Sequence, residues 1–377
     1  MRILLVPSTY HPILGGVQTV THNLAQNLIK SGHEVQVVTS RYPRALPARE
    51  IMDGVAVRRL LFLSPRIDTL TRRRADLFLA SFYFYPSSLW RLVKLLRQFR
   101  PDVVNVHFPD HQIRFVLALR RRFEFRLVVS LHGHEIERFD VDLIGARDLR
   151  KILRAADAVT ACSKHLLAQA MRLEPSIAAK AHVVHNGIDP KRFADKNRHF
   201  HPRPYALAFG RLTHKKGFDL LLNAFAQAGA ADMDLIIAGN GEEQPALKQQ
   251  AQQLGLEKRV HFSGQANPEE VVRLLNGCRF VVVPSRSEPF GIVALEALAA
   301  GKPLLATKIG GLAEFLAEVD ATPVLLVKPE ANDLATGLRR INELSRNDSN
   351  KRYLISDKYS WEQVTRRYEN VLVGSVS

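Results

Sequence analysis

Cysteine is scarce in this chain of 377 residues: only Cys162 and Cys278 occur, each within an apolar stretch. Two such cysteines argue against a disulfide framework and favour a reducing compartment, so a cytoplasmic location is expected. A long hydrophobic run is also missing. The apolar residues 77–90 are fewer than the roughly 20 needed to cross a bilayer, and they contain Pro86. The short apolar run at residues 3–7 lacks a cleavage site, which predicts a buried strand rather than a signal peptide.

Acidic residues are fewer than basic ones, and the imbalance is greatest in residues 1–190, which hold 28 Lys and Arg against 16 Asp and Glu. This excess predicts an acidic partner. Nucleic acid is disfavoured because zinc-finger spacing, a basic helix with heptads and an RNP-type motif are all missing. The clusters Arg72–Arg74 and Arg120–Arg122 lie near aromatic stretches, which suits an anionic membrane surface and a peripheral location there. A solvated charged face over an ordinary core explains them equally well.

The length predicts about two soluble domains. Short apolar runs alternate with helical patterns, which favours parallel sheets covered by helices on both faces. The polar, proline-rich residues 189–204 are the best linker candidate. The predicted domains are therefore residues 1–190 and 200–358, with a ligand expected in the cleft at the carboxyl ends of the strands. The predicted strands are Ile3–Val6, Glu34–Thr39, Val103–Val106, Leu127–Leu131, Ala158–Ala161, His182–Val184, Ala206–Phe209, Leu235–Ala238, Val260–Phe262, Phe280–Val283 and Leu304–Ala306.

Residues 284–296 are the most informative segment. Glu288 and Glu296 stand eight residues apart around a Pro-Phe-Gly bend, between a predicted strand and an apolar helix. Free backbone N–H groups at such a helix start favour an anion, and carboxylates accept hydrogen bonds from hydroxyls. The segment therefore suits a sugar nucleotide, although two solvated helix-end charges explain it equally well.

Two segments of the first half also suit a ligand. Gly15 and Gly16 follow the first strand and permit close backbone approach, but they lack the G-x-G-x-x-G pattern of nicotinamide sites. An ordinary turn is the alternative. His132 and His134 close an apolar strand, where an imidazole could hydrogen-bond a reacting hydroxyl. Zinc is unlikely because helical ligand spacing and a cysteine set are lacking.

Two loops of the second half are comparable. Arg211 and Lys216 follow a strand that ends at Gly210, and both cations could meet a diphosphate. Surface cations in a loop are the commoner outcome. Gly239 and Gly241 end another strand and allow a ligand close to the backbone, as would a plain turn.

Taken together, these segments resemble the large retaining GT-B glycosyltransferases grouped as family 4. The matching pieces follow the family's order and spacing from residue 2 to roughly residue 320. They are Gly15–Gly16, Ser130–Gly133, Asn186–Asp189, Gly210–Arg211 with Lys216–Gly217, Gly239 with Gly241, Glu288 to Glu296, and Gly310–Gly311 with Glu314. The resemblance implies an α/β fold with two Rossmann-like, doubly wound domains facing across a deep cleft. It also implies a C-terminal helix, residues 359–377, that crosses back to the first domain.

The resemblance further implies a nucleotide-diphosphate sugar as donor, with no metal and no other cofactor. Arg211 and Lys216 would neutralise the diphosphate, and His132 would lie beside the donor sugar and the acceptor hydroxyl. Glu288 would hold the sugar hydroxyls, and Glu296 the ribose. The remaining donor-binding residues it implies are Gly15, Gly16, Gly210, Gly239, Gly241, Phe290, Gly291 and Ile292. Retention would follow from front-face departure of the diphosphate, whose oxygen takes the acceptor proton.

The acceptor expected from the basic, aromatic first half is a lipid-linked or cell-envelope glycan, selected by first-domain loops in residues 41–100. A soluble sugar acceptor and a catalytically silent nucleotide-sugar-binding module are the alternatives. A retaining glycosidase is less consistent, because its two carboxylates must face one bond. One departure from the family is the absence of glycine from residues 320–327.

Overall fold

A computed structural model of the protein describes residues 1–13, 15–63, 75–133, 135–136, 143–193, 197–229, 231–319, 323–347 and 357–374. The Arg72–Arg74 cluster, His134 and residues 194–196, 320–322 and 375–377 lie outside this description. The chain divides into two compact units: Met1–His185 with Trp361–Ser377, and Asn186–Ser360. The linker candidate at residues 189–204 therefore belongs to the second unit.

Within the described residues, the first unit contains an eight-stranded sheet. Its strands are β1 (Arg2–Pro7), β2 (Glu34–Ser40), β3 (Arg49–Met52), β4 (Val55–Leu60), β5 (Val103–His107), β6 (Arg126–Leu131), β7 (Ala158–Ala161) and β8 (Ala181–Val183). The order is β3-β4-β2-β1-β5-β6-β7-β8, and only the β3–β4 hairpin is antiparallel. The central strands β1 and β5 are almost wholly buried, which accounts for their continuous apolar sequences.

The helices of the first unit cover this sheet. They are α1 (Gly16–Lys30), α2 (Ala75–Phe99), α3 (His111–Arg120), α4 (Leu143–Ala155), α5 (Lys164–Leu173) and the C-terminal helix Trp361–Val373. The C-terminal helix is held by a 3.0 Å contact between His33 Nε2 and a carboxylate oxygen of Glu369. Residues 41–100 were expected to form loops, but they include β3, β4 and the long helix α2. Among the described helices, none is long and apolar enough to cross a membrane.

The second unit contains a six-stranded parallel sheet. Its strands are β9 (Tyr205–Phe209), β10 (Asp234–Ala238), β11 (Val260–Gly264), β12 (Phe280–Val283), β13 (Leu304–Thr307) and β14 (Val324–Val327). The order is β11-β10-β9-β12-β13-β14. Successive strands are added on one side of β9 as far as β11 and on its other side from β12 onward, so the topological switch point lies between β9 and β12. Ligands of such doubly wound sheets bind at this switch point, beyond the carboxyl ends of the strands.

The helices of the second unit are α6 (Phe218–Ala228), α7 (Gln244–Gln253), α8 (Pro268–Gly277), α9 (Ile292–Ala299), α10 (Gly310–Ala317) and α11 (Ala331–Asn347). Phe225 of α6 and Leu338 of α11 are fully buried with Leu235 and Phe280 of the sheet. Such residues drive folding because apolar side chains leave water. The core therefore fixes the strands whose ends carry the candidate site.

Candidate functional site

In the second unit, the loops after β9 and β12 meet at the switch point of the sheet. Lys216 Nζ donates a hydrogen bond to Glu288 Oε2, and Ser285 Oγ lies 3.4 Å from the same oxygen. The Glu288 side chain is 10% exposed and that of Lys216 23% exposed, so the carboxylate has little water to solvate it. The structure thus brings together two predicted site residues that are distant in sequence.

A neighbouring ion pair holds these two loops together. The Arg286 guanidinium donates to both carboxylate oxygens of Asp219, at 2.7 and 2.6 Å, and the Arg286 backbone N–H donates to Lys215 O at 2.7 Å. Gly217 has a φ of 67°, and a Cβ there would lie 2.1 Å from Pro284 O. This close approach requires glycine, and it fixes Lys216 beside Glu288.

Arg211 follows β9 but does not join this ion pair. Its side chain is exposed, and among the described residues no carboxylate pairs with its guanidinium. Next to it, Gly210 N–H donates to Ala238 O at 2.9 Å. A Cβ on Gly239 would lie 1.9 Å from Gly210 O, so contact between two loops explains this glycine without a ligand. The ligand roles of Gly210, Gly239 and Gly241 stay predictions.

Helix α9 begins immediately after the Glu288 loop. Gly291, the residue before its first turn, has a φ of 98°, and a Cβ there would lie 2.5 Å from Leu312 Cδ1. The Phe290 ring is buried 4.9 Å from the Phe315 ring, so its side chain serves packing and is not exposed to a ligand. The first N–H groups of a helix lack intrahelical partners and favour an anion. The N–H of Ile292, the first residue of α9, is one of these groups.

Glu296 lies one turn further along α9. Burial raises the pKa of its carboxyl to about 7, against a smaller opposing effect of the Arg192 charge. Among the described residues, no hydrogen-bond donor or ion-pair partner contacts this carboxylate. When it is ionised, this half-buried carboxylate can accept hydrogen bonds from the hydroxyls of a ligand.

In the first unit, His132 follows β6 and contacts a second histidine at the end of β5. His107 Nδ1 lies 3.1 Å from His132 Nε2, and the rings are stacked at 29°. Burial lowers the pKa of His132 to about 4, and burial together with the neighbouring His132 holds the pKa of His107 well below its usual range. Both imidazoles are therefore neutral at pH 7.

Gly15 and Gly16 lie at the start of α1. Among the described residues, no side chain caps this helix start, and its first turn holds no acidic residue. The preceding loop is held in place, because Tyr10 Oη lies 2.6 Å from His22 Nδ1 and His22 Nε2 lies 3.1 Å from Asp53 Oδ2. The uncapped N–H groups favour an anion.

Six residues that support the site were not predicted from the sequence: His107, Ser285, Arg286, Asp219, Tyr10 and His22. One signal was available for His107. It directly follows the predicted strand Val103–Val106, as His132 follows the predicted strand Leu127–Leu131, and the carboxyl ends of adjacent parallel strands meet at one edge of a sheet.

Residues 189–360 match the family Glycosyl transferases group 1, and residues 14–192 match Glycosyltransferase Family 4. An uncharacterized glycosyltransferase of Methanocaldococcus jannaschii is 30% identical over 401 residues, covering 98% of this chain and 97% of its own length. A glycogen synthase of Mycobacterium tuberculosis is also 30% identical, covering 100% of this chain and 95% of its own length.

The fold is similar to that of solved structures over almost the whole chain. Sucrose-phosphate synthase from Thermosynechococcus elongatus gives a TM-score of 0.75 at 22% identity, covering 99% of this chain and 100% of its own. HepE of Anabaena, solved in complex with UDP-glucose, gives a TM-score of 0.73 at 19% identity with the same coverage.

Proposed function

Because the chain belongs to the group 1 glycosyltransferases of family 4, which use a nucleotide-sugar donor, we propose that it transfers the sugar with retention, without a metal, to a lipid-linked or cell-envelope glycan acceptor. The predicted GT-B fold class is confirmed by the solved glycosyltransferases that share this fold. The observation that carries the proposal is the contact of Lys216 with Glu288 at the switch point of the second sheet.

The proposed donor site lies in the second unit. Lys216 and Arg211 neutralise the diphosphate, which stabilises the leaving group by fixed positive charge instead of a metal ion. Arg211 has its guanidinium available for this, while Lys216 exchanges part of its contact with Glu288 for a phosphate oxygen. Glu288 accepts hydrogen bonds from the sugar hydroxyls, beside the backbone N–H groups of residues 290–292.

Glu296 binds the ribose in this proposal. Its carboxylate has no partner among the described residues, and two adjacent ribose hydroxyls supply the donors that compensate its burial. Its role is therefore binding rather than proton transfer, and the same holds for Glu288 beside Lys216.

The first unit contributes His132 and the Gly15–Gly16 helix start. A pKa of about 4 makes His132 a poor base at neutral pH, so it serves as a hydrogen-bond partner of the donor sugar and the acceptor hydroxyl. This supports transfer of the acceptor proton to the departing phosphate oxygen, on the face from which the phosphate leaves. The C1–oxygen bond to the phosphate breaks, and the acceptor oxygen bonds to C1 on that same face.

The lipid-linked acceptor is supported by four exposed apolar side chains on α2, here called the α2 stripe: Leu79, Phe82, Tyr83 and Trp90. They are 60–75% exposed, and their spacing places them on one face of the helix. The exposed cations Arg91, Lys94 and Arg97 follow on the same helix. Aromatic rings beside cations suit the headgroup layer of an anionic membrane.

A soluble glycan acceptor is the second candidate. It is favoured by the 30% identity to a glycogen synthase along the whole chain. The first experiment for both is a thermal-shift screen with UDP-, GDP- and ADP-sugars, followed by turnover assays on vesicle-bound and soluble acceptors. Stabilisation by one donor class without magnesium is expected. A requirement for magnesium, or no stabilisation by any nucleotide sugar, would contradict the proposed donor site.

A further inference from the structure

A second cluster of chemically active side chains lies at the opposite, amino-terminal edge of the second sheet. Asp234 is the first residue of β10, His261 is the second residue of β11, and His201 precedes β9. His201 Nε2 lies 2.8 Å from Asp234 Oδ2, and His261 Nε2 lies 3.3 Å from the same oxygen. The donor residues Arg211, Lys216 and Glu288 follow the other ends of the strands, so this cluster has no part in the proposed transfer.

From this geometry we propose that His201, Asp234 and His261 form a binding site for one divalent transition-metal ion of the zinc class. The three ligand atoms all lie within 4.8 Å of one another. Ligand atoms about 2.0–2.2 Å from a tetrahedral zinc are themselves roughly 3.4 Å apart. The site therefore needs small side-chain adjustments rather than a movement of the backbone.

The types of ligand in the cluster determine which metal ions it prefers. Two imidazoles and one carboxylate suit Zn²⁺, Co²⁺ or Ni²⁺, whereas Mg²⁺ and Ca²⁺ prefer oxygen ligands alone. Three protein ligands leave a fourth position for water. His261 is 41% exposed at the side chain, which gives the ion a path from solvent to the nearly buried Asp234.

The surroundings of the cluster orient its ligands. Arg203 Nε lies 3.3 Å from the other carboxylate oxygen, Oδ1, which leaves Oδ2 for the ion. The Tyr205 ring packs edge-on against His201 at 5.5 Å, and its hydroxyl is fixed by Leu274 O at 2.7 Å. Partners of this kind fix the direction of metal ligands.

The position of the site indicates a structural role. Its ligands come from three neighbouring strand starts, so a bound ion links β10 and the edge strand β11 to the segment that enters β9. An ion that binds only the folded state raises the melting temperature of the protein. Loss of the ion should lower stability and leave transfer unchanged, because the donor residues lie at the other strand ends.

The test uses the untagged full chain after removal of metals by a chelator. Titration with ZnCl₂ is expected to give one site by calorimetry, a higher melting temperature, and with CoCl₂ the visible absorption of tetrahedral cobalt. His261→Gln, at a half-exposed position, is expected to weaken zinc binding by at least about tenfold, and Asp234→Asn likewise. His165→Gln, an exposed histidine in the first unit, is the matched control and should bind as the wild type.

Two results would overturn the proposal. One is the absence of saturable zinc binding by the wild-type chain. The other is an unchanged affinity and stoichiometry in a folded His261→Gln variant, which would place the ion on other histidines. Neither result bears on the proposed donor site, since nucleotide-sugar binding is measured separately with the same metal-free protein.

Discussion

His107 Nδ1 lies 3.1 Å from His132 Nε2, between the ends of two neighbouring strands of the first unit. Only one proton can lie between the two nitrogens. Among the described residues, His107 Nε2 has no hydrogen-bond partner. A buried donor without an acceptor costs more than a buried lone pair, so we assign the proton to His107 Nδ1. His132 then carries its own proton on Nδ1 and can donate it to a substrate oxygen.

The first prediction concerns this tautomer. His107→Phe keeps a ring of similar size but removes the hydrogen bond, so His132 loses its fixed orientation. We expect kcat to fall by roughly 10-fold with little change in donor KM, as for other groups that orient a catalytic side chain. Imidazole NMR of the wild type should show His132 neutral down to about pH 4. A His132 signal that titrates near pH 6.5, or an unchanged kcat in His107→Phe, would contradict the assignment.

The second prediction follows from the pKa of Glu296. The ionised carboxylate binds ribose hydroxyls, and its pKa of about 7 leaves it mostly protonated at pH 6 and mostly ionised at pH 8. Affinity for an intact nucleotide sugar should therefore rise by about tenfold between these pH values. Calorimetry on wild type and Glu296→Gln measures this. The variant should bind weakly without this rise, whereas Glu343→Gln, on an exposed part of α11, should retain it.

The same group has a defined effect on stability. Its folded pKa lies above the unfolded value of 4.5, so the folded state binds more protons between about pH 4.5 and 7. The protonated Glu296 carboxyl therefore adds to the free energy of unfolding in acid. This added stability is lost as the pH rises to 7, by up to about 3 kcal/mol. The contribution of His132 to the free energy of unfolding changes with pH in the opposite direction, because its folded pKa of about 4 lies below the unfolded value of 6.5. Denaturant titrations should thus show Glu296→Gln gaining stability from pH 4.5 to 7 relative to wild type.

Much of the fold could be predicted because central parallel strands are buried on both faces. Ala158–Ala161 and Phe280–Val283 match their predicted bounds, and most other predicted strands differ by one or two residues. The hairpin of β3 and β4 was missed because charged residues interrupt its short apolar runs. Arg59 of β4 is nonetheless buried, since its guanidinium contacts Glu50 at 2.5 Å and donates to His11 O at 2.6 Å. Such compensation depends on residues that are distant in the chain.

The candidate site shows the same limit. The carboxylates and cations that the family resemblance implied could be named from the sequence, and Lys216 proves to contact Glu288. The state of each group could not be predicted, because burial sets it. The pKa of Glu296 rises through desolvation, and that of His132 falls for the same reason. Both shifts require the packed structure.

The third prediction separates Lys216 from its neighbour in sequence. Lys216→Ala removes a cation from the diphosphate site and leaves Glu288, at 10% exposure, without its partner. We expect kcat/KM to fall by roughly 10²–10³-fold, the usual loss for a group that stabilises charge in the transition state. Lys215→Ala is the matched control, since the contact of Lys215 with the Arg286 N–H uses its backbone oxygen, which alanine retains. Equal activity of the two variants would remove Lys216 from the donor site.

The fourth prediction tests the contact between the β9 and β10 loops. An alanine Cβ at Gly239 would lie 1.9 Å from Gly210 O, and the φ of 144° is unfavourable for any L side chain. Gly239→Ala should therefore lower the free energy of unfolding by more than about 3 kcal/mol. Gly255→Ala is the control, because its φ is 66° but nothing lies within 4 Å of the added Cβ. It should cost only about 1 kcal/mol, as judged by denaturant unfolding.

The fifth prediction concerns the α2 stripe. Replacing Phe82, Tyr83 and Trp90 by serine removes the rings that would enter a headgroup layer, without disturbing the core, because all three are at least 60% exposed. We expect the triple variant to lose binding to vesicles that contain anionic lipid, measured by cosedimentation at low salt, while nucleotide-sugar affinity stays at the wild-type value. Cations near the rings add roughly 1 kcal/mol each at an anionic surface, so binding should also weaken with added salt.

Ile51→Ser is the control for this experiment, since Ile51 is 79% exposed on the edge hairpin of the same unit but lies outside the stripe. It should bind vesicles as the wild type does. Two outcomes have different meanings for the acceptor. Wild-type protein that ignores anionic vesicles would favour the soluble glycan acceptor. Vesicle binding that survives the triple substitution would assign the membrane contact to another basic surface of the chain, because the rings would then contribute nothing to it.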